Sequence, residues 1–192
     1  MAIRRELLII LALIIVIAVL VKLVEFFRSD IVEADASNFV LEDLREKYPA
    51  ADIGIVSILE EYNDYGGKYF EVKARVTQDA YTPCPKRSHI FYNYPDQNFV
   101  PQPPAIITSN CHVCTTEVCT VAFPEEAIIA SHTFDGTEKV QQYLTVYPNS
   151  HPVVKEMDDL WSVSWDFEDA DLAYIVKIRR DGRIMDVLEI DK

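Results

Sequence analysis

Four cysteines are the side chains whose type and spacing most directly suggest chemistry. Cys84, Cys111, Cys114 and Cys119 follow the pattern C-x26-C-x2-C-x4-C, and they are all the cysteines of the 192-residue chain. Their even number and the proline-rich sequence around them favour two structural disulfides, because each closed loop would stabilise the fold by on the order of 3 kcal/mol. Four cysteines allow three pairings, and the sequence does not select one.

A zinc site is the second interpretation of these cysteines. Cys111 and Cys114 form a C-x2-C pair that can supply two thiolates from one turn, and Cys84 with Cys119 would complete a tetrahedron. Zinc ribbons ordinarily use two C-x2-C pairs, whereas this chain has one. The histidines that could substitute as ligands are His89, His112 and His132.

A redox-active pair is the third interpretation. The segment Cys111-His112-Val113-Cys114 places a histidine between two sulfurs, which favours a thiolate. Redox pairs normally begin a helix, but the following VCTTEV is rich in β-branched residues. The histidine also lies inside the pair rather than after it, so the segment is not a haem attachment site. We therefore predict disulfides first and no cofactor, with zinc as the alternative.

Aromatic residues interleave with prolines beside the cysteines, in HIFYNYPDQNFVPQPP at residues 89–104. Such rings can stack on sugars or hold an extended peptide. The alternative is that they pack on the prolines and make a long loop rigid, and we favour this structural role. The residues of this candidate ligand surface are Phe91, Tyr92, Tyr94 and Phe99.

The remaining polar residues form no recognisable catalytic pattern. No serine has a G-x-S-x-G context, and the acids between residues 158 and 171 lack the order of an EF-hand. We assign no catalytic residue, so the sequence favours a non-enzymatic binding or assembly protein. A zinc- or thiol-dependent protein built on the four cysteines is the alternative.

The overall composition excludes two classes of protein. With 49% hydrophobic and 26% charged residues, the chain can form one core-bearing domain and is not disordered. A net charge of −13 leaves no basic surface for phosphate backbones, so we expect no nucleic-acid partner.

The N-terminal segment predicts a membrane anchor. No polar side chain occurs from Leu7 to Val21, and the apolar character continues to Phe27. At about 1.5 Å per residue, a helix over residues 7–27 would match a hydrocarbon core of roughly 30 Å. We therefore predict an N-terminal tail and single-pass transmembrane signal anchor over residues 1–28.

The flanking charges predict the orientation of this anchor. Arg4 and Arg5 precede it, whereas Lys22 and Arg28 lie beside acids at its other end, which favours a cytoplasmic N-terminus. An acidic domain over residues 29–192 would then lie outside the cell membrane. The predicted partners are the bilayer, through residues 7–27, and a protein in the same membrane or envelope.

The start RRELLIILALIIVIAVL resembles the N-terminus of type IV pilins and pseudopilins, in which an acidic residue precedes a long apolar helix. Glu6 would be that acid, although the glycine that precedes the cleavage point in the family is missing. The resemblance implies a pilin-like or pseudopilin-like subunit, a third interpretation of the function.

Residue periodicity predicts an α+β fold that positions the cysteines. A helical stripe ends at Tyr48-Pro49, and the turn cluster NDYGG leads into the alternating strand KYFEVKARV. A second helical stripe ends at Tyr147-Pro148 and is followed by strands around Arg180-Asp181-Gly182. We predict antiparallel meanders packed with two or three helices, with a duplicated helix-plus-meander unit as one interpretation, and a Pro/Cys-rich insertion at residues 81–120.

The C-terminal segment from Thr137 to Lys192 resembles PepSY and cystatin-like units in its run Y-I-V-K-I, D-G-R-I and V-L-E-I. In those families a helix packs on an antiparallel sheet. The resemblance implies a binding or inhibitory module and carries over no active-site residues.

Overall fold

The computed structural model describes residues 13–20, 31–95, 102–113 and 119–192. The chain divides into two units, Met1–Val32 and Glu33–Lys192. In the first unit, residues 13–20 are helical. The second unit carries the sheets and all the side-chain interactions considered below.

The predicted transmembrane helix is wrong. Within the ranges that the structure describes, no helix is long and apolar enough to cross a membrane. Residues 7–12 and 21–27 of the predicted segment, and Glu6 of the pilin resemblance, lie outside the described residues. The single-pass topology therefore has no support.

The second unit consists of two halves, each with a four-stranded antiparallel sheet, as predicted for an α+β fold. The first half contains α1 (Glu33–Lys47), β1 (Asp52–Tyr62), β2 (Lys68–Gln78), β3 (Lys86–Tyr94) and β4 (Ala105–Thr108). The second half contains α2 (Pro124–Thr133), α3 (Glu138–Val146), β5 (His151–Met157), β6 (Leu160–Asp166), β7 (Leu172–Arg179) and β8 (Ile184–Asp191). Within each sheet the strands lie side by side in chain order.

Helix α1 covers one face of the first sheet. Ala36, Val40 and Leu44 recur every four residues, so they lie on one face of the helix, and all three are fully buried. The alternate residues of β2 from Phe70 to Val76 are buried as well, because successive side chains in a strand point to opposite faces. The Tyr92 hydroxyl of β3 donates a hydrogen bond of 2.6 Å to Asp43 of the helix.

The core of the second half lies between its sheet and the helices α2 and α3. It contains the alternating residues Trp161, Val163 and Trp165 of β6, all buried. Both indoles satisfy their N–H groups, as buried polar groups must: Trp161 donates to the Val121 carbonyl and Trp165 to the Ser131 hydroxyl, each at 2.9 Å.

The two halves repeat one order of elements. In each, a helix is followed by a Tyr-Pro pair and then by a four-stranded meander: Tyr48-Pro49 follows α1, and Tyr147-Pro148 follows α3. Proline lacks the N–H of a helical turn and restricts the residue before it, so the pair ends each helix. The structure therefore has the helix-plus-meander order in both halves.

Helix α2, like the strands β3 and β4 within the predicted insertion at residues 81–120, is an element that the sequence periodicity does not predict. Every residue from Glu125 to His132 is buried, so the helix has no solvent-exposed face that would separate polar from apolar residues in the sequence. Its start does carry a signal, since Pro124 begins the helix and acids follow in the first turn. Glu126 accepts hydrogen bonds from the backbone N–H groups of Ala122 and Phe123 at 2.7 and 2.9 Å.

We expect Leu44→Ala to lower the free energy of unfolding by about 2–5 kcal/mol, because it removes a fully buried side chain and leaves a cavity between α1 and the sheet. Urea denaturation measures the change. The matched control is Leu59→Ala, at a leucine that is 53% exposed, for which we expect a change of under about 0.5 kcal/mol. Equal effects of the two substitutions would contradict this account of the core.

Candidate functional site

The predicted disulfide is confirmed by a bond between Cys84 and Cys111, whose Cα atoms are 4.9 Å apart. Cys111 is therefore not paired with Cys114, the partner that a redox C-x2-C motif would require. The bond joins the segment before β3 to the turn after β4. Thr108 holds the same two segments together, because its hydroxyl donates to the Pro85 carbonyl and accepts from the Arg87 backbone N–H, both at 2.9 Å.

Cys119 is also disulfide-bonded, and Cys114 lies outside the described residues. Cys119 packs against the turn between β7 and β8. Gly182 has a positive φ of 82° in this turn, and a Cβ atom there would lie 2.8 Å from the Cys119 sulfur. Glycine is therefore required at this position for both its backbone conformation and its size.

His132 lies directly beside the first disulfide. A ring nitrogen of His132 and the sulfurs of Cys84 and Cys111 all lie within 4.8 Å of one another. The imidazole is 8% exposed, and its Nε2 donates to the Pro83 carbonyl at 2.8 Å. Burial lowers the pKa of His132, although this hydrogen bond opposes the shift. Cys84 is exposed and Cys111 is half-buried, so solvent reaches the group from the sulfur side.

A buried ion pair joins the two halves close to this group. Arg87 of β3 donates from Nη1 to Glu125 of α2 at 2.7 Å, and both side chains are about 6% exposed. The guanidinium also lies over the Phe123 ring, 3.8 Å from its centroid. Neither charge can exchange its partner for water, so the pair is a structural junction.

Two neighbours complete the hydrogen bonding of this pair. Thr77 donates to the second carboxylate oxygen of Glu125 at 2.6 Å. Burial by itself would raise the pKa of Glu125, but the hydrogen bonds from Thr77 and Arg87 lower it below its usual value. His89 accepts from the Arg87 guanidinium at 3.1–3.2 Å. Burial and then the charge of Arg87 lower the pKa of His89 to about 4, so the ring is neutral at pH 7.

One face of α2 makes all these contacts with the first half. Glu125, Ile129 and His132 follow the i, i+4, i+7 spacing of a single helix face, and all are buried. Glu125 bonds Arg87, and His132 bonds Pro83 two helical turns later. The roles of Arg87 and Glu125 were not predicted, because their pairing over 38 residues leaves no local pattern.

The fold brings together only some of the histidines and aromatic residues that the sequence predicted as site residues. His132 joins two of the cysteines, whereas His89 is buried in the ion-pair network and His112 is exposed. The long loop predicted at residues 89–104 is wrong for residues 89–94, which belong to strand β3 and pair with β2. Strand alternation separates the predicted aromatic surface, since Phe91 points to one face of β3 and Tyr92 is buried on the other. Tyr94 lies 5.3 Å from the ring of Phe39. Phe99 lies outside the described residues.

Comparison with known proteins assigns no family. No protein-family model matches the chain, and no curated protein matches its sequence. A crystal structure of a "putative lipoprotein" from Clostridium difficile 630 is similar at a TM-score of 0.23 and 10% sequence identity, covering 79% of this chain and 90% of that chain. At so low a TM-score the likeness carries no argument about fold or function.

We expect acid to destabilise the fold partly through His89. Its pKa is about 4 in the folded chain and 6.5 ordinarily. Between these values the unfolded chain binds a proton at this residue that the folded chain does not, so stability falls as the pH falls, by about 1.4 kcal/mol per pH unit for each such proton.

The substitution His89→Gln tests this, because the amide oxygen can still accept from Arg87 and the side chain does not titrate. We expect urea unfolding of the variant to show a shallower loss of stability between pH 6.5 and pH 4, the range set by the two pKa values. Equal slopes in the variant and the natural chain would show that His89 does not cause the acid sensitivity.

Proposed function

We propose that Glu33–Lys192 is a non-enzymatic binding or assembly module that works outside the cytoplasm and holds a protein partner on the open face of its second sheet. The observation that carries the proposal is an apolar row across that face. Val153, Ser164, Ile175 and Leu188 are register partners on β5, β6, β7 and β8. Partners in antiparallel register point to the same side of a sheet, opposite to the buried tryptophans.

The apolar row is accessible in the described part of the chain. Val153 is 53% exposed, Leu188 40% and Ile190, beside it on β8, 42%. Apolar side chains that share one exposed row form a patch, and such patches mark interaction sites more often than scattered exposed residues do. A flat sheet face of this kind fits a protein surface better than it fits a small ligand, which binds in a concave pocket.

The next row of the same face indicates the chemistry of the partner. Lys155, Ser162, Lys177 and Asp186 are register partners one step along the strands. Two lysines and one aspartate therefore border one side of the apolar row, a locally basic stretch on a chain whose net charge is −13. An apolar patch bordered by carboxylates is the complementary surface, because opposite charges at a rim steer association and select the partner.

The disulfides support a site of action outside the cytoplasm. Cys84 is bonded to Cys111, and Cys119 is disulfide-bonded as well. Structural disulfides persist in oxidising compartments and are rare in the cytosol. The resemblance of residues 137–192 to PepSY and cystatin-like units stays a prediction, and it too implies a binding or inhibitory role.

We expect Cys84 and Cys111 to be oxidised in the cells that make the protein. Lysis of those cells in excess alkylating agent, followed by mass spectrometry, should find both residues unmodified unless a reductant is added first. Alkylation of both residues without reduction would place the protein in a reducing compartment and contradict the proposed location.

We expect a photo-crosslinking residue at the second sheet to capture a distinct protein. p-Benzoylphenylalanine in place of Leu188, in the full chain in its native cells, should give one dominant protein adduct on irradiation. Val153→Glu in the same chain should reduce this adduct at least tenfold, because it puts a charge in the apolar row and repels the carboxylates of the partner.

The matched control is p-benzoylphenylalanine in place of Leu59, at an exposed leucine of the first sheet. We expect no adduct with the same protein from this position. Equal capture from both positions, or adducts with a second copy of this chain alone, would overturn the proposed binding surface.

A further inference from the structure

We propose that reduction of the Cys84–Cys111 disulfide converts this cross-link into a binding site for a thiophilic divalent cation such as Zn²⁺, with Cys84, Cys111 and His132 as its three protein ligands. The inference goes beyond the proposed binding function and does not depend on it. It rests on the group of two sulfurs and one imidazole whose ligand atoms lie within 4.8 Å of one another.

The three ligands are held by contacts that do not involve the disulfide. Glu125 fixes α2, and hence His132, against Arg87 through the buried ion pair. Thr108 bonds both Pro85 and Arg87, which keeps the segment after Cys84 beside the end of β4. These bonds remain when the sulfur–sulfur bond is broken, so the ligands stay close together.

The turn that carries Cys111 also has its own support. The His112 backbone N–H donates to the Ser109 carbonyl at 3.1 Å. Asn110 and Cys111 adopt positive φ values of 52° and 57° within this turn. The chain therefore reverses direction here through its backbone, and the Cys111 sulfur stays directed toward Pro83, 4.0 Å from its carbonyl oxygen.

A dithiol can reduce the Cys84–Cys111 disulfide by two thiol–disulfide exchanges. The dithiol attacks the exposed Cys84 sulfur, the bond to Cys111 breaks, and a second exchange leaves two protein thiols and an oxidised dithiol. Zn²⁺ then displaces the two thiol protons and binds two thiolates and one neutral imidazole. Two negative charges offset the charge of the cation, and the fourth tetrahedral position remains for water, as in zinc sites with three protein ligands.

This site differs from the four-thiolate arrangement that the sequence suggests. Cys119 does not belong to the group of ligand atoms and packs instead against Gly182 at the turn between β7 and β8. His132 takes the third position, and its approach to the sulfurs depends on α2. Cys84 and Cys111 should therefore differ from Cys119 in their behaviour toward a metal.

The test is a Co²⁺ titration of the full chain after reduction with a phosphine in the absence of air. We expect one cobalt per chain, with thiolate-to-cobalt charge-transfer absorption that Zn²⁺ abolishes by displacement, and no such absorption from the oxidised protein. Cys114→Ser/Cys119→Ser should retain the absorption, and the matched variant Cys84→Ser/Cys111→Ser should lose it. Loss in the first variant, or retention in the second, would overturn the proposal.

His132→Gln distinguishes the three-ligand site from a pair of thiolates alone. We expect it to weaken cobalt binding at least about tenfold, since even the loss of an outer-shell partner costs 10–100-fold. Unchanged affinity would remove His132 from the site. The reduced natural chain and Cys84→Ser/Cys111→Ser both lack the disulfide, so equal far-ultraviolet circular dichroism of the two without metal shows that lost binding is not lost folding.

Discussion

The buried ion pair between Arg87 and Glu125 is the constraint on which the junction of the two halves depends. Taking both charges out of water is costly, and their attraction offsets this cost only because other groups complete the hydrogen bonding. Thr77 supplies one such bond to the carboxylate, and His89 accepts one from the guanidinium. Loss of either charge would leave the other buried without an opposite charge. The pair therefore restricts where α2 can lie on the first sheet more than it adds to stability.

The position of α2 also determines where His132 lies. Glu125 and His132 lie two turns apart on one helix face, so the contact that positions the first also brings the imidazole of the second to the Cys84–Cys111 bond. The opposite side of the helix packs into the core beneath Trp165. One short helix thus belongs to the core of the second half, bonds to Thr77 and Arg87 of the first sheet, and contributes a side chain to the cysteine group.

The local sequence pattern predicted the structure correctly wherever neighbouring residues specify a strand, a turn or the end of a helix. Alternation predicted the strand beginning at Lys68, the turn residues around Gly66 and Gly182 predicted the hairpins, and Tyr48-Pro49 marked the end of a helix. The pattern failed in two segments, for different reasons. It predicted a membrane-spanning helix from hydropathy that the structure does not support, and it did not predict α2, whose burial on all sides removes the periodicity that marks other helices.

The sequence by itself determined the α+β class and the two meanders, because strand alternation and turn chemistry are properties of neighbouring residues. The number of cysteines favoured disulfides but left a zinc site open. Only the tertiary structure decided that Cys84 pairs with Cys111, that His132 lies beside them, and that Arg87 meets Glu125. Each of these contacts joins residues more than twenty positions apart. The packing of whole elements brings such residues together, and no local pattern records that packing.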